Sequence, residues 1–163
     1  RLQDAGYVQT VVTQNIDGLH QKAGSTNVLE VHGSLRTLTC IGCYKQVPAD
    51  HFAVDYLQSG SIPYCPACGK ILKPDLVLFG EQLPVRTWLR AQEACKKCDL
   101  MIVAGSSLEV LPVAGLPMRA LENGAHLLII NQSHTYLDVR ADVAFHEDLA
   151  AIIPLLVQSV FGE

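Results

Sequence analysis

The chain has 163 residues, 49% of them apolar and 17% charged, which suffices for one hydrophobic core or a core with a small appendage. Its net charge of −4 offers no broad basic surface to nucleic acid or an anionic membrane. No apolar stretch approaches the roughly 20 residues that a membrane helix needs.

In chain order, Arg1-Leu2-Gln3-Asp4 does not open like a signal peptide, and the lack of an initiator Met predicts that a segment precedes Arg1. The first residues read as a helix end closed by Gly6, and residues 7–13 as a strand. That strand runs into Gln14, Asn15, Ile16 and Asp17, with His20 close behind, so an amide pair, a carboxylate and an imidazole stand at its end. His32 leaves a β-type stretch just before Gly33, and both clusters can face one crevice. Asn beside Asp can hold a carboxamide, because the amide accepts from one and donates to the other. An imidazole nearby can take a proton from a hydroxyl.

Six cysteines follow in an informative pattern. Cys40-Ile-Gly-Cys43 and Cys65-Pro-Ala-Cys68 are two C-x2-C knuckles with 21 residues between them. Two such knuckles supply four thiolates in pairs, the ligand set of structural zinc, and no other feature suggests the secretion that disulfides would require. Cys95-Lys-Lys-Cys98 is a third pair, but it ends a helical stretch that docks on an apolar run, so its thiols read as small buried hydrophobes.

Beyond the cysteines, residues 100–103, 127–130 and 143–145 read as strands, and residues 85–96, 113–122 and 148–160 as helices, the last with a kink at Pro154. Apolar strands alternating with helices predict an α/β fold, a doubly wound, mostly parallel Rossmann-like sheet. The knuckles interrupt it as a small zinc-ribbon lobe over residues 36–74, leaving 1–35 and 75–163 as the main lobe. Ligands of such sheets bind at the carboxyl ends of the strands. Gly105-Ser106-Ser107, ahead of a helix, and Asn131 stand there and suit a phosphate or ribose. No G-x-G-x-x-G fingerprint is present, so spacing alone leaves nucleotide binding open.

Taken in order, T-Q-N-I-D-G-L-H, V-H-G, the two cysteine pairs, K-P-D-L-V-L-F-G-E, G-S-S-L-E-V and I-I-N resemble the sirtuin family along essentially the whole chain. These are NAD-dependent protein lysine deacylases, and the likeness is to a bacterial-type core lacking its upstream part. The resemblance implies that Gln14, Asn15, Ile16 and Asp17 line the pocket for nicotinamide and its ribose, with Asp17 accepting from the carboxamide. It implies that His32 is the general base, acting with Asn15 and Asp17. The acyl oxygen attacks the ribose, nicotinamide leaves, and His32 deprotonates ribose hydroxyls so that the sugar attacks the resulting alkylimidate. Free lysine and an O-acyl-ADP-ribose result. Val77, Phe79 and Gly80 would border the acyl-lysine tunnel opposite Val110, with the acylated peptide adding as a strand. Gly105, Ser106, Ser107 and Asn131 would meet the phosphates and adenosine ribose, and Asp148 the adenine. A cytoplasmic protein with NAD as co-substrate and a structural zinc is expected.

Departures from the family pattern are few. Lys73 stands where Arg is common, Gly-Ser-Ser replaces Gly-Thr-Ser, and Cys98 lies where Ala is usual. The family's Gly-Ala-Gly phosphate loop, its G-I-P-D-F-R stretch and the helices that accompany the knuckles are missing from the chain. The 163 residues alone are therefore expected not to turn over NAD, and the acyl preference is unreadable. Two alternatives stay open: ADP-ribosyl transfer by the same pocket, or a zinc-ribbon module that binds without turnover.

Overall fold

Short strands and their connections organise the chain. The computed structural model describes residues 1–163, which pack as two units, Val11–Thr87 and Arg1–Thr10 with Trp88–Glu163.

In the unit Val11–Thr87, β1 (Val11–Thr13) and β2 (Val28–Glu30) pair in parallel, with Val11 opposite Val28 and Thr13 opposite Glu30, joined through α1 (Leu19–Lys22). β3 (Gly33–Cys40) then runs antiparallel to both β4 (Gln46–Pro48) and β5 (Leu72–Leu76). Leu38, Val47 and Leu72 bury their side chains with Cys40 and Cys65, so the cysteine lobe and the sheet share one small core. The helices that accompany the knuckles in the family are not all missing, against the expectation from sequence: α2 (Asp50–Ser59) stands between the two cysteine pairs. Asp50 favours its first turn, Phe52 packs on the core, and Gly60 ends it at φ 70°.

In the other unit, β6 (Leu100–Ala104), β7 (His126–Ile130) and β8 (Val143–Phe145) form a parallel sheet in that order, with Leu100 opposite His126 and Leu128 opposite Val143. Val103, Leu127, Ile129, Ala114 and Leu137 make its core, and Leu127, Ile129 and Leu137 are fully buried. Each such side chain contributes about 1.5–3 kcal/mol. α3 (Val85–Lys97) precedes the sheet, α4 (Leu116–Glu122) follows a 3-10 turn at Val113–Gly115, and α5 (Leu149–Phe161) contains Pro154. Tyr7 meets Phe161 edge-on, with ring centroids 6.1 Å apart, and Arg1 stacks over the same ring at 4.7 Å.

The fold is mixed α/β with parallel sheets. The first strand is shorter than residues 7–13, because the Tyr7 and Val8 N–H groups both bond the Leu2 carbonyl and the ladder opens only where Val11 N–H meets Asn27 O at 2.9 Å.

Candidate active site and metal centre

β1 delivers the chain into the polar run. Buried Thr13 turns it: Oγ1 accepts the Asn15 N–H at 3.1 Å, and its carbonyl accepts the Val31 N–H at 3.0 Å. Asp17 Oδ1 accepts the Leu19 N–H at 2.9 Å, an Asx turn that starts α1 with Gly18 at φ 69°. Ile16 O accepts the Leu35 N–H at 3.2 Å, which holds the run against the start of β3. A cavity of about 410 Å³ results, lined by Gln14, Asn15, Ile16, Asp17, His32, Leu76 and Val77.

Gly33 brings His32 to that cavity. It sits at φ +76°, and a Cβ there would stand 2.0 Å from the Asp75 carbonyl oxygen. Without a side chain, the β3 and β5 backbones close to the Gly33–Leu76 register, and the Val77 N–H donates to His32 O at 2.9 Å. Arg36 braces the corner: its guanidinium pairs with Glu30, and its Nε donates to Ser34 Oγ at 3.0 Å. Both partners lie two residues from His32, one on each side.

Beyond β5 the chain leaves the sheet as an apolar loop. The Glu81 carboxylate accepts the Leu78 N–H and the Lys73 Nζ, each at 3.0 Å. These two donors, the Leu78 N–H foremost, hold the Glu81 carboxyl below its usual range. The loop is pinned at its base while Phe79 is wholly exposed and Leu78 more than half exposed. An exposed apolar loop continuing a strand suits an extended peptide.

Gly105 follows β6 at φ +60°, and its N–H donates to Ile130 O at 2.9 Å. Asn131 follows β7, its N–H donating to Phe145 O at 3.0 Å and its Nδ2 to Ser133 O at 2.7 Å. Asp148 follows β8, and its Oδ1 accepts the Ala150 N–H at 2.8 Å, capping α5. These residues follow the carboxyl ends of one parallel sheet. No helix starts directly after Gly105-Ser106-Ser107. The Ser106 Oγ accepts the Leu108 N–H at 3.3 Å, Leu108 turns the chain at φ 57°, and helical structure begins only at Val113. Val110 lies in that loop, 46% exposed, its carbonyl accepting the Ala114 N–H at 3.0 Å.

Cys40, Cys43, Cys65 and Cys68 hold their Sγ atoms within 4.8 Å of one another, with Cys40–Cys68 at 3.4 Å and Cys43–Cys65 at 3.7 Å. A tetrahedral ion at about 2.3 Å from each sulfur sets the S–S spacing near about 3.8 Å, so the quartet fits zinc. It does not fit disulfides, which need about 2.05 Å. The Cys43 N–H, helped by that of Gly42, holds the Cys40 thiol down to about 6. Against the downward pull of the Lys70 N–H, the thiols of Cys40 and Cys43, burial and the Cys65 thiol together push Cys68 up to about 12. Thiolates this close oppose one another, a repulsion that a cation held among them would relieve. Cys95 is buried, which raises its thiol to about 11, and it joins no such cluster.

The model of the Sir2 family matches residues 1–112. The chain belongs to the Sir2 family. Among its relatives, NAD-dependent protein deacylase 2 of Archaeoglobus fulgidus is 44% identical over 160 residues, covering 98% of this chain and 63% of that protein. NAD-dependent protein deacetylase 1 of Geobacillus kaustophilus is 46% identical over 142 residues, 87% of this chain and 56% of that protein. The chain therefore spans less than two thirds of either. A solved Sir2 with a p53 peptide and NAD+ superimposes at a TM-score of 0.91 with 35% identity, over 99% of this chain and 66% of that one. Sir2Tm bound to a propionylated peptide gives 0.90 at 35% identity, over 99% and 67%.

Of the Sir2-type motif residues, Gln14, Asn15, Ile16, Asp17, His32 and Val77 share the cavity, while Phe79 and Gly80 lie on the adjoining loop. Leu76 completes the lining and was not singled out from sequence, although it stands inside the K-P-D-L-V-L-F-G-E run. The Glu30–Arg36 brace was also missed. Its one signal is a pair of opposite charges flanking V-H-G.

Proposed function

We propose that this Sir2-family protein removes acyl groups, acetyl among them, from protein lysines with NAD as co-substrate, releasing nicotinamide and an O-acyl-ADP-ribose. The cavity that joins Gln14, Asn15 and Asp17 to His32 beside the Val77 loop carries this reading, and the names of its deacylase and deacetylase relatives support it.

When bound, NAD supplies a ribose carbon that turns electrophilic as nicotinamide departs. Asp17 accepts the carboxamide N–H at Oδ2, the oxygen not engaged in starting α1. The Gln14 and Asn15 amides orient the same group and its ribose, and Ile16 gives an apolar wall that excludes water. His32 takes a proton from a ribose hydroxyl at a ring nitrogen, its backbone held by the Val77 N–H. Val77, Phe79, Gly80 and Val110 receive the acyl-lysine, and the peptide backbone adds along the loop after β5. Gly105, Ser106, Ser107, Asn131 and Asp148 take the phosphates and adenosine at the carboxyl edge of the β6-β7-β8 sheet. Cys40, Cys43, Cys65 and Cys68 hold a structural zinc, whose charge compensates the thiolates and whose binding folds a small lobe, residues 36–74, between the segments 1–35 and 75–163 of the NAD-binding lobe.

In the full-length protein, His32→Ala should abolish deacylation of an acetyl-lysine peptide while exchange of labelled nicotinamide into NAD persists, because the base acts after nicotinamide has left. Asp17→Asn keeps an acceptor for the Leu19 N–H but puts a donor in place of one carboxylate oxygen, so it should lower both reactions. Equal loss of exchange and deacylation in the His32 variant, or a peptide gaining the mass of ADP-ribose, refutes the proposal.

A further inference from the structure

In the unit of the β6-β7-β8 sheet, the stretch from His134 to His146 brings together a second set of metal donors. His134, Asp138 and His146 hold one ligand atom each within 4.8 Å of one another. Asp138 Oδ2 lies 2.9 Å from His134 Nδ1 and 3.3 Å from His146 Nε2, and the two rings stand 4.0 Å apart, tilted by 53°.

Each inner donor is oriented from behind. Asp138 Oδ1 accepts the Thr135 N–H at 3.1 Å and the Thr135 hydroxyl at 2.7 Å, which leaves Oδ2 to face the imidazoles. His146 Nδ1 lies 3.2 Å from the Asn131 carbonyl oxygen. A carbonyl only accepts, so Nδ1 carries the proton, and Nε2 of the neutral ring is a bare lone pair. Nε2 lies 3.3 Å from the carboxylate oxygen Asp138 Oδ2. Two acceptors so placed repel each other unless a cation lies between them. Hydrogen bonds of this kind, from a ligating histidine to a backbone carbonyl and onto a ligating carboxylate, are the ones that orient metal ligands.

We propose that His134 Nδ1, Asp138 Oδ2 and His146 Nε2 form a binding site for a divalent transition-metal ion of the zinc class. Two imidazoles with one carboxylate favour zinc, cobalt or nickel over the hard cations magnesium and calcium. Ligand bonds of about 2.0–2.1 Å set tetrahedral edges near about 3.4 Å, so donors now at 2.9 and 3.3 Å need to open by only tenths of an ångström. Asp138 and His146 are largely covered, at 16% and 31% exposure, while His134 is 84% exposed. The ion therefore enters from solvent past His134 and keeps a fourth position for water, the arrangement of an open rather than a closed site.

The test titrates Co2+ into the full chain after its cysteine quartet has been loaded with zinc. One further equivalent should bind, with visible d–d bands but no near-ultraviolet thiolate-to-cobalt charge transfer. Calorimetry with Zn2+ should show the same added equivalent. His134→Ala and His146→Ala should each weaken it roughly tenfold or more, since even groups that merely orient a ligand cost 10–100-fold. His134→Ala removes an exposed ring and leaves the fold intact. His126→Ala, whose Nδ1 meets Asp142 at 3.0 Å, is the control and should change nothing. The proposal is overturned if the wild-type chain takes no further equivalent, which would leave a proton as the cation between His146 and Asp138. It is equally overturned if the bands survive in both site variants, or fall as far in the control.

Discussion

Replacing Gly33 by Ala tests the corner on which the candidate site is built. The new Cβ would fall 2.0 Å from the Asp75 carbonyl oxygen, a backbone atom that cannot rotate aside. β3 and β5 must separate there, which removes the Gly33–Leu76 pairing and the Val77 N–H to His32 O bond. One or two backbone bonds at about 1 kcal/mol each, plus about 1–2 kcal/mol for a non-glycine residue at positive φ, give roughly 2–4 kcal/mol. In a chain of this size that lowers Tm by about 4–16 °C. Gly60→Ala is the internal standard, since Gly60 also has φ +70° but nothing within 4 Å of its Cβ. It should cost the φ strain alone, about 1–2 kcal/mol. Urea unfolding of the three proteins measures the difference. If Gly33→Ala loses no more stability than Gly60→Ala, the β3–β5 closure does not exist as described, and His32 is not held where the cavity needs it.

The cysteine quartet should carry one zinc per chain by metal analysis, lost in Cys40→Ser and Cys68→Ser and retained in Cys95→Ser, because only the former thiols converge; zinc retained without the quartet would refute the assignment. Glu81 should make the peptide-facing loop pH-sensitive. Its carboxyl is held below the ordinary value, so the order it imposes is present above about 4.3 and is lost as pH falls through the lower folded value. Hydrogen exchange at the Leu78 amide should show this acid step in the wild type and not in Glu81→Gln, and an identical step in both proteins counts against Glu81 as its source.

Legibility in the sequence followed burial. The apolar runs of β6, β7 and β8 could be read directly, since a parallel sheet leaves few polar interruptions, and α3 and α5 carried a periodic face or an acidic cap at Asp148. α2 escaped notice because it buries none of its residues completely, so no apolar period marks it. The start of β1 was overextended for the opposite reason: Tyr7 favours strands, but it is 66% exposed and its N–H belongs to a turn closing on Leu2. At the site, residue types announced the chemistry, whereas the means of placing them did not show. The necessity of Gly33 depends on Asp75, 42 residues away, and the brace on Arg36 depends on how β2 turns into β3.

The polar run at the end of β1 separates what folds the chain from what faces a ligand. Its ties to the fold are the Thr13 hydroxyl, the Ile16 carbonyl and one Asp17 oxygen, each meeting a backbone N–H. The Gln14 and Asn15 amides and the His32 imidazole line the cavity instead. An amide or carboxylate in such a place contributes little to stability and forgoes the 1.5–3 kcal/mol that a buried apolar side chain would bring. A fold selected for stability alone would fill the cavity with apolar side chains. Substitutions should therefore divide by what they touch. Asp17→Asn, which preserves an acceptor for Leu19, should leave unfolding nearly unchanged while weakening ligand capture. At Gly33 the two properties cannot be separated, because the same backbone closure that pairs β3 with β5 also aims His32.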